Sequence, residues 1–447
     1  MKKVLSPVPG FLLLCVARFM VMLDLSIVIL ALPAMGKDFH VPASMLPWVL
    51  TIYAVTFGGF LLLAGKAGDL LGKRRLVLWG FAVFTLASFA GGLAQNLTQF
   101  VIARGFQGLG AALLSPNAFA LVVTLFQDPK GRSRAIGLWS ALSGVALPLG
   151  GLLGGLLVSG PGWRWVMLLN VPLGVLSLGA TGFLIPRGEV AAPRPRLDWA
   201  GAFLVTAGLI ALVFALSEGV RLGWVLPIAT VVGIGLLVLF VLWEKRSRHP
   251  LVRLELFRDR TLVGANLTMG LGMAGLVSCL FALTFFGQHT LGISPISSGL
   301  LLLPMSVVFI ACTLGSARLA RSSPRLTILT GTLLMALGFA VLSFMVSGPG
   351  VLGWYLAGSL LVGAFGLALP VIFQVGVAGA PRSDQGLASG LLNTSQQIGA
   401  GLGLAVSTAV ATTTQNTFLV CAAFLIVAAW TAATLMGPRL SQPQVSA

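Results

Sequence analysis

The sequence predicts an all-α polytopic membrane protein with fourteen transmembrane helices and both termini cytoplasmic. Three observations carry this. The 447 residues are 57% hydrophobic and 9% charged, with a mean hydropathy of +1.00, whereas soluble domains carry about 25% charged residues. Apolar windows of about 18 residues or more recur along the chain, each able to cross about 30 Å of hydrocarbon. With the N-terminus inside, twenty-three Lys/Arg residues fall in cytoplasmic segments, and only Lys37, Arg164 and Arg221 fall outside. That is the bias the positive-inside rule demands.

Taken in order, the windows lie near 11–33, 46–64, 76–94, 98–125, 136–158 and 164–185. A Pro/Arg-rich linker, 186–198, leads to a pair near 199–216 and 223–243. A basic loop over 244–260 precedes 262–286, 295–316, 326–346, 352–376, 387–411 and 416–435. This divides the chain into a first bundle, 1–185, the linker, an extra helix pair, 199–243, the basic loop, a second bundle, 261–436, and a cytoplasmic tail, 437–447. The loops are too short for a soluble domain. Lys2 and Lys3 precede the first window as in a signal peptide, but that window is long and carries Arg18 and Asp24, so it is expected to stay as a span.

Several classes drop out. The net charge of +17 would suggest nucleic acid in a soluble protein; here it is a topology signal, and no nucleic-acid partner is expected. Cys15, Cys279, Cys312 and Cys421 stand in apolar runs at unrelated spacings, and His40, His249 and His289 near span ends, so neither a disulfide framework nor a metal site is expected. There is no G-x-x-x-x-G-K-[ST] loop for a nucleotide, and no clustered intramembrane His/Asp/Cys to suggest an enzyme.

The first span holds the most informative residue. Asp24 sits roughly 20 Å from the start of its apolar run and about 14 Å from its end, near the bilayer centre. A charge there is costly and marks a functional position, here a proton-carrying carboxylate. Arg104, about 10 Å deep in the fourth span, has a similar depth and meets Asp24 if the first and fourth helices are neighbours. Burial favours the neutral acid and a nearby guanidinium the carboxylate, so a small movement could switch protonation. A structural ion pair is the plainer alternative. Arg18 is expected to snorkel towards the cytoplasm. Gln107, Asn117, Gln374, Asn393 and Gln397 are candidates for a substrate cavity, each alternatively an interhelical hydrogen bond. Asp24 is the only acid well inside a span, which favours a substrate that is neutral, singly charged or amphiphilic.

The loop after the second span reads Gly65-Lys-Ala-Gly-Asp-Leu-Leu-Gly-Lys-Arg-Arg75. Gly68 and Gly72 permit a tight turn, and Asp69 with Lys73, Arg74 and Arg75 can form a charge latch. This loop resembles G-x-x-x-D-x-x-G-[RK]-[RK], the signature of the major facilitator superfamily. Leu23-Asp-Leu-Ser-Ile-Val-Ile-Leu-Ala-Leu-Pro33 resembles the L-D-x-[TS]-I-V-x-x-A-L-P run of its fourteen-helix drug/proton antiporters of the EmrB/QacA type. Arg104-Gly-Phe-Gln-Gly-Leu-Gly-Ala-Ala112, Trp163-Arg-Trp165 with Asn170-Val-Pro-Leu-Gly174, and Arg196-Leu-Asp-Trp-Ala-Gly201 are similar to further stretches of that subfamily. In the fifth span, Pro148, Gly150, Gly151, Gly154 and Gly155 keep the glycine face of the family's antiporter motif, with Pro148 three residues early. The second-half counterpart of the latch, Gly315 to Arg325, lacks the acid.

The resemblance implies two six-helix bundles plus a central extra pair, with Asp24 and Arg104 coupling protons to export of small amphiphilic drugs or antibiotics. The proton gradient would supply the energy and no cofactor is expected. The transporter would act as a monomer among the lipids of a bacterial inner membrane. Import of a metabolite, or lipid flipping through the same cavity, are the alternatives.

Overall fold

The computed structural model describes residues 7–126, 128–185, 197–219, 225–247, 250–346, 350–381, 384–411 and 413–436. The tail 437–447 and nearly all of the linker 186–198 lie outside these. The described chain is helical throughout: α1 (Pro7–Asp38), α2 (Pro47–Leu71), α3 (Lys73–Gly92), α4 (Leu97–Leu125), α5 (Pro129–Ser159), α6 (Arg164–Leu168), α7 (Asn170–Leu184), α8 (Trp199–Gly219) and α9 (Val225–Arg246). Then follow α10 (Arg260–Phe285), a π-helical turn (Phe286–Thr290), α11 (Pro295–Leu301), α12 (Leu303–Ala320), α13 (Pro324–Met345), α14 (Val351–Gly363), α15 (Phe365–Ala378), α16 (Gln385–Val410) and α17 (Thr414–Leu435).

Among the described residues, twelve helical segments are long and apolar enough to cross a membrane, which corrects the expected fourteen. The expected spans at 136–158 and 387–411 are the two that fall out. In α5, among the residues whose side chains are described, the apolar stretch is Leu149–Ser159, shorter than a span. α16 is 26 residues long, but amides and hydroxyls, among them Gln385, Ser389, Asn393, Thr394, Gln396 and Gln397, dilute its apolar character.

Local chemistry sets the helix starts. Asn96, Asp128, Ser294, Ser323 and Thr413 each accept a hydrogen bond from the backbone N–H three residues on. Pro129, Pro295 and Pro324 follow three of them, where a missing N–H costs nothing. One break inside an apolar run follows from proline: Pro172 cannot donate to the Leu168 carbonyl, and the helix is interrupted between α6 and α7.

Internal contacts divide the chain into two compact units, Met1–Leu251 with Leu283–Leu303, and Val252–Ala282 with Pro304–Ala447. In the first, α1 is the central helix, packing against α4, α5, α6, α7 and α11. The core around it includes Leu14, Met20, Tyr53, Phe57, Phe81, Phe84, Leu114 and Trp139. The α8–α9 hairpin joins this unit through α8, whose Thr206 fills the space over Gly59 of α2. α9 is covered almost solely by α8, at a crossing of Gly208 and Gly233, and only 6% of its apolar window is buried. At one end, Trp243 Nε1 donates to Asp198 Oδ1 (2.8 Å), and the Leu251 N–H donates to Glu244 Oε1 (3.2 Å).

In the second unit, α10 and α16 cross on small residues at a strict four-residue period. Ser395 Oγ donates to Asn266 Oδ1 (2.7 Å), Gly270 meets Gly399, Ala274 meets Gly403, and Ser407 Oγ donates to Ser278 Oγ (2.9 Å). Such a stripe brings helix backbones close without help from charge.

Candidate functional site

Five helices of the first unit direct a polar group at one buried point. α1 contributes Asp24, α4 Arg104 and Gln107, α3 Ser88, α2 Tyr53 and the Val49 carbonyl, and α7 Asn170. Asp24, Arg104, Gln107, Ser88 and Tyr53 have no exposed surface, and Asn170 has 2%.

The carboxylate of Asp24 is surrounded by donors. Arg104 Nη1 donates to Oδ2 (2.5 Å), while Gln107 Nε2 (2.8 Å) and Asn170 Nδ2 (3.1 Å) both donate to Oδ1. Arg104 also gives Nη1 to Gln107 Oε1 (2.6 Å) and Nε to the Val49 carbonyl (3.1 Å), and its guanidinium carbon lies 4.2 Å from the Tyr53 ring centroid. Gln107 Nε2 further donates to Ser88 Oγ (2.9 Å). The orientation of Gln107 follows from chemistry, since guanidinium cannot accept and carboxylate cannot donate. Arg104 Nη2 and Tyr53 OH have no hydrogen-bond partner. Every contact to Asp24 is a donor, so the pocket is shaped for the ionised acid. A pair so dry is held by mutual compensation: losing either charge strands the other.

The other expected site residues divide. Gln107, expected in a substrate cavity, is in the ion-pair network. Asn117 is also buried and ties helices, its Nδ2 donating to the Ala64 carbonyl (3.0 Å) and to Leu113 O (2.9 Å). In the second unit, Gln374 is exposed on α15 and Asn393 is half-buried, donating to Ser389 O (2.9 Å) on its own helix. Gln397 is buried with its Nε2 unpartnered.

The Gly65–Arg75 segment is less of a loop than its sequence suggests. α2 runs on through Gly65 and Gly68 to Leu71, so the reversal rests on Gly72 at φ +96°, a conformation that favours glycine. Gly68 serves close packing instead: a methyl there would collide with Asn117 Oδ1. Asp69 pairs with Lys73 one turn on (3.4 Å), and Asp69 is 68% exposed. Arg74 reaches the last turn of α7, Nη2 donating to the Gly182 carbonyl (2.7 Å) and Nε to Thr181 O (3.4 Å). Arg75 is exposed, and Lys66 donates to the Pro250 carbonyl.

On α5, two adjacent glycine rows serve two neighbours. Gly150 and Gly154 receive Ser26 and Ile27 of α1, while Gly151 and Gly155 receive Gly299 and Ile296 of α11. Ser26 Oγ donates to the Ala146 carbonyl at the same crossing (3.3 Å). The Pro148 backbone is within the helix; its side chain lies outside the described residues.

Asn170, Ser88 and Tyr53 were not legible as site residues. An Asn before Val-Pro near a span end, a Ser close to two phenylalanines and one of two tyrosines carry no charge to betray them; the one signal was that Asn170 opens the family-like stretch Asn170-Val-Pro-Leu-Gly174. Among the described residues, no group of three or more His, Cys, Asp or Glu is placed to hold a metal ion.

Comparison with known proteins fits this architecture. Residues 14–404 match the Major Facilitator Superfamily. The chain is 34% identical over 411 residues to the puromycin resistance protein pur8 of Streptomyces alboniger, covering 90% of this chain and 81% of that protein. It is 36% identical over 408 residues to the cephamycin export protein CmcT of Amycolatopsis lactamdurans (89% and 83% covered), and 36% over 395 residues to the multidrug resistance protein Stp of Mycobacterium tuberculosis (87% and 73%). In fold it resembles a D-xylose–proton symporter, with a TM-score of 0.71 at 16% identity over 97% of this chain and 99% of that one. A peptide transporter gives the same TM-score and identity over 95% and 93%. With twelve membrane-length apolar segments, a match to the family profile over most of its length and relatives above 30% identity, the chain belongs to the Major Facilitator Superfamily of membrane transporters.

Proposed function

We propose that this protein exports small amphiphilic compounds, of the kind named by its antibiotic-resistance relatives, in exchange for protons across a bacterial cell membrane. The observation that carries the reading is the Asp24–Arg104 pair, with no exposed surface and surrounded only by donors. Protonation of Asp24 removes the charge that compensates Arg104, and the buried cation must then find new partners. That makes proton binding a force on the helices that hold it. Alternating access converts the force into exposure of the substrate to one side and then the other. The Asp69–Lys73 pair and the Gly72 turn act as the latch that opens and recloses in this cycle. All members of the proton site come from one chain, so a monomer suffices, and no cofactor enters the cycle.

The test uses inverted membrane vesicles holding an acid-inside gradient, with puromycin and a panel of lipophilic cations, acids and neutral compounds. Dissipation of the gradient by at least one compound in the unmodified protein, lost in Asp24→Asn, is the expected result. Equal dissipation in the variant removes Asp24 from the coupling. Substrate-driven proton entry in vesicles of the opposite orientation would instead mark an importer.

A further inference from the structure

Within the proton-coupling reading above, on which it rests, one residue has a role that pairing alone does not supply. We infer that Asn170 is a positioning residue for proton exchange: its amide holds Asp24 ionised, and it turns over to accept the carboxyl proton once Asp24 is protonated.

The argument begins with what a protonated Asp24 needs. Its new O–H is a donor, and all three partners now donate to it: Arg104, Gln107 and Asn170. A guanidinium has no lone pair to offer, so Arg104 is excluded. Gln107 could offer its oxygen only by turning its amide, and that amide is fixed at both ends: Oε1 accepts from Arg104 and Nε2 donates to Ser88. Turning it would set two donors, Nε2 and Nη1, face to face. Asn170 is under no such restraint: its Nδ2 donates to Asp24 Oδ1 at 3.1 Å, the longest of the three bonds to the carboxylate. A half-turn of its amide presents Oδ1 to the acid proton. The proton comes from the aqueous side and stays on Asp24; one O–H bond forms, and the amide keeps both of its hydrogens.

The placement of Asn170 gives the turn somewhere to act. It is the first residue of α7, beside Leu169, where the helix is interrupted, and two residues before Pro172. α6, on the other side of that interruption, begins with Arg164, which pairs with Asp38 at the far end of α1 (2.7 Å). Trp163, just before it, donates to the same carboxylate (3.1 Å). A bond broken or remade at Asn170 therefore acts on a segment anchored to α1 at both ends. The charged and titratable groups near Asp24 are few. Arg104 faces it from α4 and Tyr53 from α2, and Arg18 shares its own helix and interacts with Tyr53. α3 and α7 offer the uncharged Ser88 and Asn170. The sequence of α11 has no titratable side chain, nor does that of α5 over 135–159.

The measurement is a pH titration of the Asp24 carboxyl band by infrared difference spectroscopy on the reconstituted full chain, the band being assigned by its loss in Asp24→Asn. Asn170→Leu removes both the donor to the ionised form and the acceptor for the acid; the bond to the charged form is the stronger of the two, so on balance the proton is held more tightly. The midpoint should rise by about one pH unit, about tenfold in proton affinity. Asn170→Asp has the same shape and adds a like charge, so its midpoint should rise further; it also carries the test if the leucine variant does not fold. Midpoints within about 0.3 pH unit of the unmodified protein, in variants that melt normally, would overturn Asn170 as the donor that holds Asp24 ionised. The turn is read from the protonated band itself, whose C=O frequency should move when Asn170→Leu removes the acceptor of its O–H, and an unmoved band would overturn the turn. Absence of any Asp24-dependent band in the unmodified protein would overturn the proton-carrier reading itself, a failure visible before any Asn170 variant is made.

Discussion

The two compact units use the same means to bring helices together and fill their centres differently. In the first, α1 and α5 close on Ser26, Ile27, Gly150 and Gly154; in the second, α10 and α16 close on Gly270, Ala274, Gly399 and Gly403. Each also clamps the end of a later helix with an arginine at the second position of an earlier one. Arg74, second residue of α3, donates to the Thr181 and Gly182 carbonyls near the end of α7; Arg325, second residue of α13, donates to the Ala433 carbonyl near the end of α17. These are cations set on helix C-termini. At the centres the likeness ends. The first unit buries Asp24 against Arg104; around α10 in the second are Asn266, Thr268, Ser278, Thr431 and Ser407, all uncharged. Likewise Asp69 and its pair with Lys73 have no acidic counterpart between Gly315 and Arg325. The shared features build a bundle. The unshared ones are the buried Asp24–Arg104 pair at the centre and the Asp69–Lys73 latch, and both lie in the first unit.

The sharpest way to break this comparison is to remove a charge from the half that has one. Arg104→Gln strands Asp24 and should cost about 3–5 kcal/mol of stability, with transport reduced more than about a hundredfold. Asp24→Asn with Arg104→Gln should recover much of the stability and none of the transport, as read by thermal melting and vesicle assays. Recovery of transport in the double variant would make the pair structural.

The next effect tests the shared packing. A methyl at Gly399 would meet three backbone atoms of Gly270, whereas one at Gly150 would meet the hydroxyl and Cβ of Ser26, of which the hydroxyl can swing away and the Cβ must shift with its helix. Gly399→Ala should therefore destabilise by about 1–3 kcal/mol, and Gly150→Ala by less. The reverse order in melting experiments would show that the two crossings are not equivalent.

Arg74→Gln and Arg325→Gln should each cost about 1 kcal/mol, with matching losses in denaturation if the clamps are the same device. Smallest of all is Asp69→Asn. Its ion pair is exposed, so stability should change by less than about 1 kcal/mol, while transport rate falls if the latch matters. Unchanged transport would reduce the latch to its Gly72 turn.

How far the sequence could be read follows from the same contrast. Asp24 and Arg104 were legible because a charge in an apolar run is costly and needs a reason. Gln107 was read as a cavity candidate or an interhelical hydrogen bond, because an amide gives no sign of whether it faces a cavity or a neighbour. Asn170 was marked only as the start of the Asn170-Val-Pro-Leu-Gly174 stretch, and an uncharged residue near a span end gives no sign of its role. Lys66 and Asp69 made the end of α2 look like loop, yet nothing before Gly72 breaks a helix, and it continues. The span count failed in α16, where a run of amides and hydroxyls sits within a long helix. The segment Gly315 to Arg325 was recognised as a counterpart lacking the acid, but nothing in it showed that Arg325 repeats the helix-end contact of Arg74.

One element takes its neighbours from outside the protein. α9 has 22 residues, about 33 Å of helix, against a hydrocarbon layer of about 30 Å. With a single helix beside it, most of its circumference belongs to lipid, and Trp243 and Glu244 hold it at one end. Bilayer thickness is therefore a conformational variable for this hairpin. A thinner membrane is met by tilting α9 about its held end, and that tilt loads the Asp198–Trp243 bond, whereas a thicker one pulls the helix upright. The same polypeptide will carry a differently inclined α9 in membranes of different lipid length, with no change in its sequence.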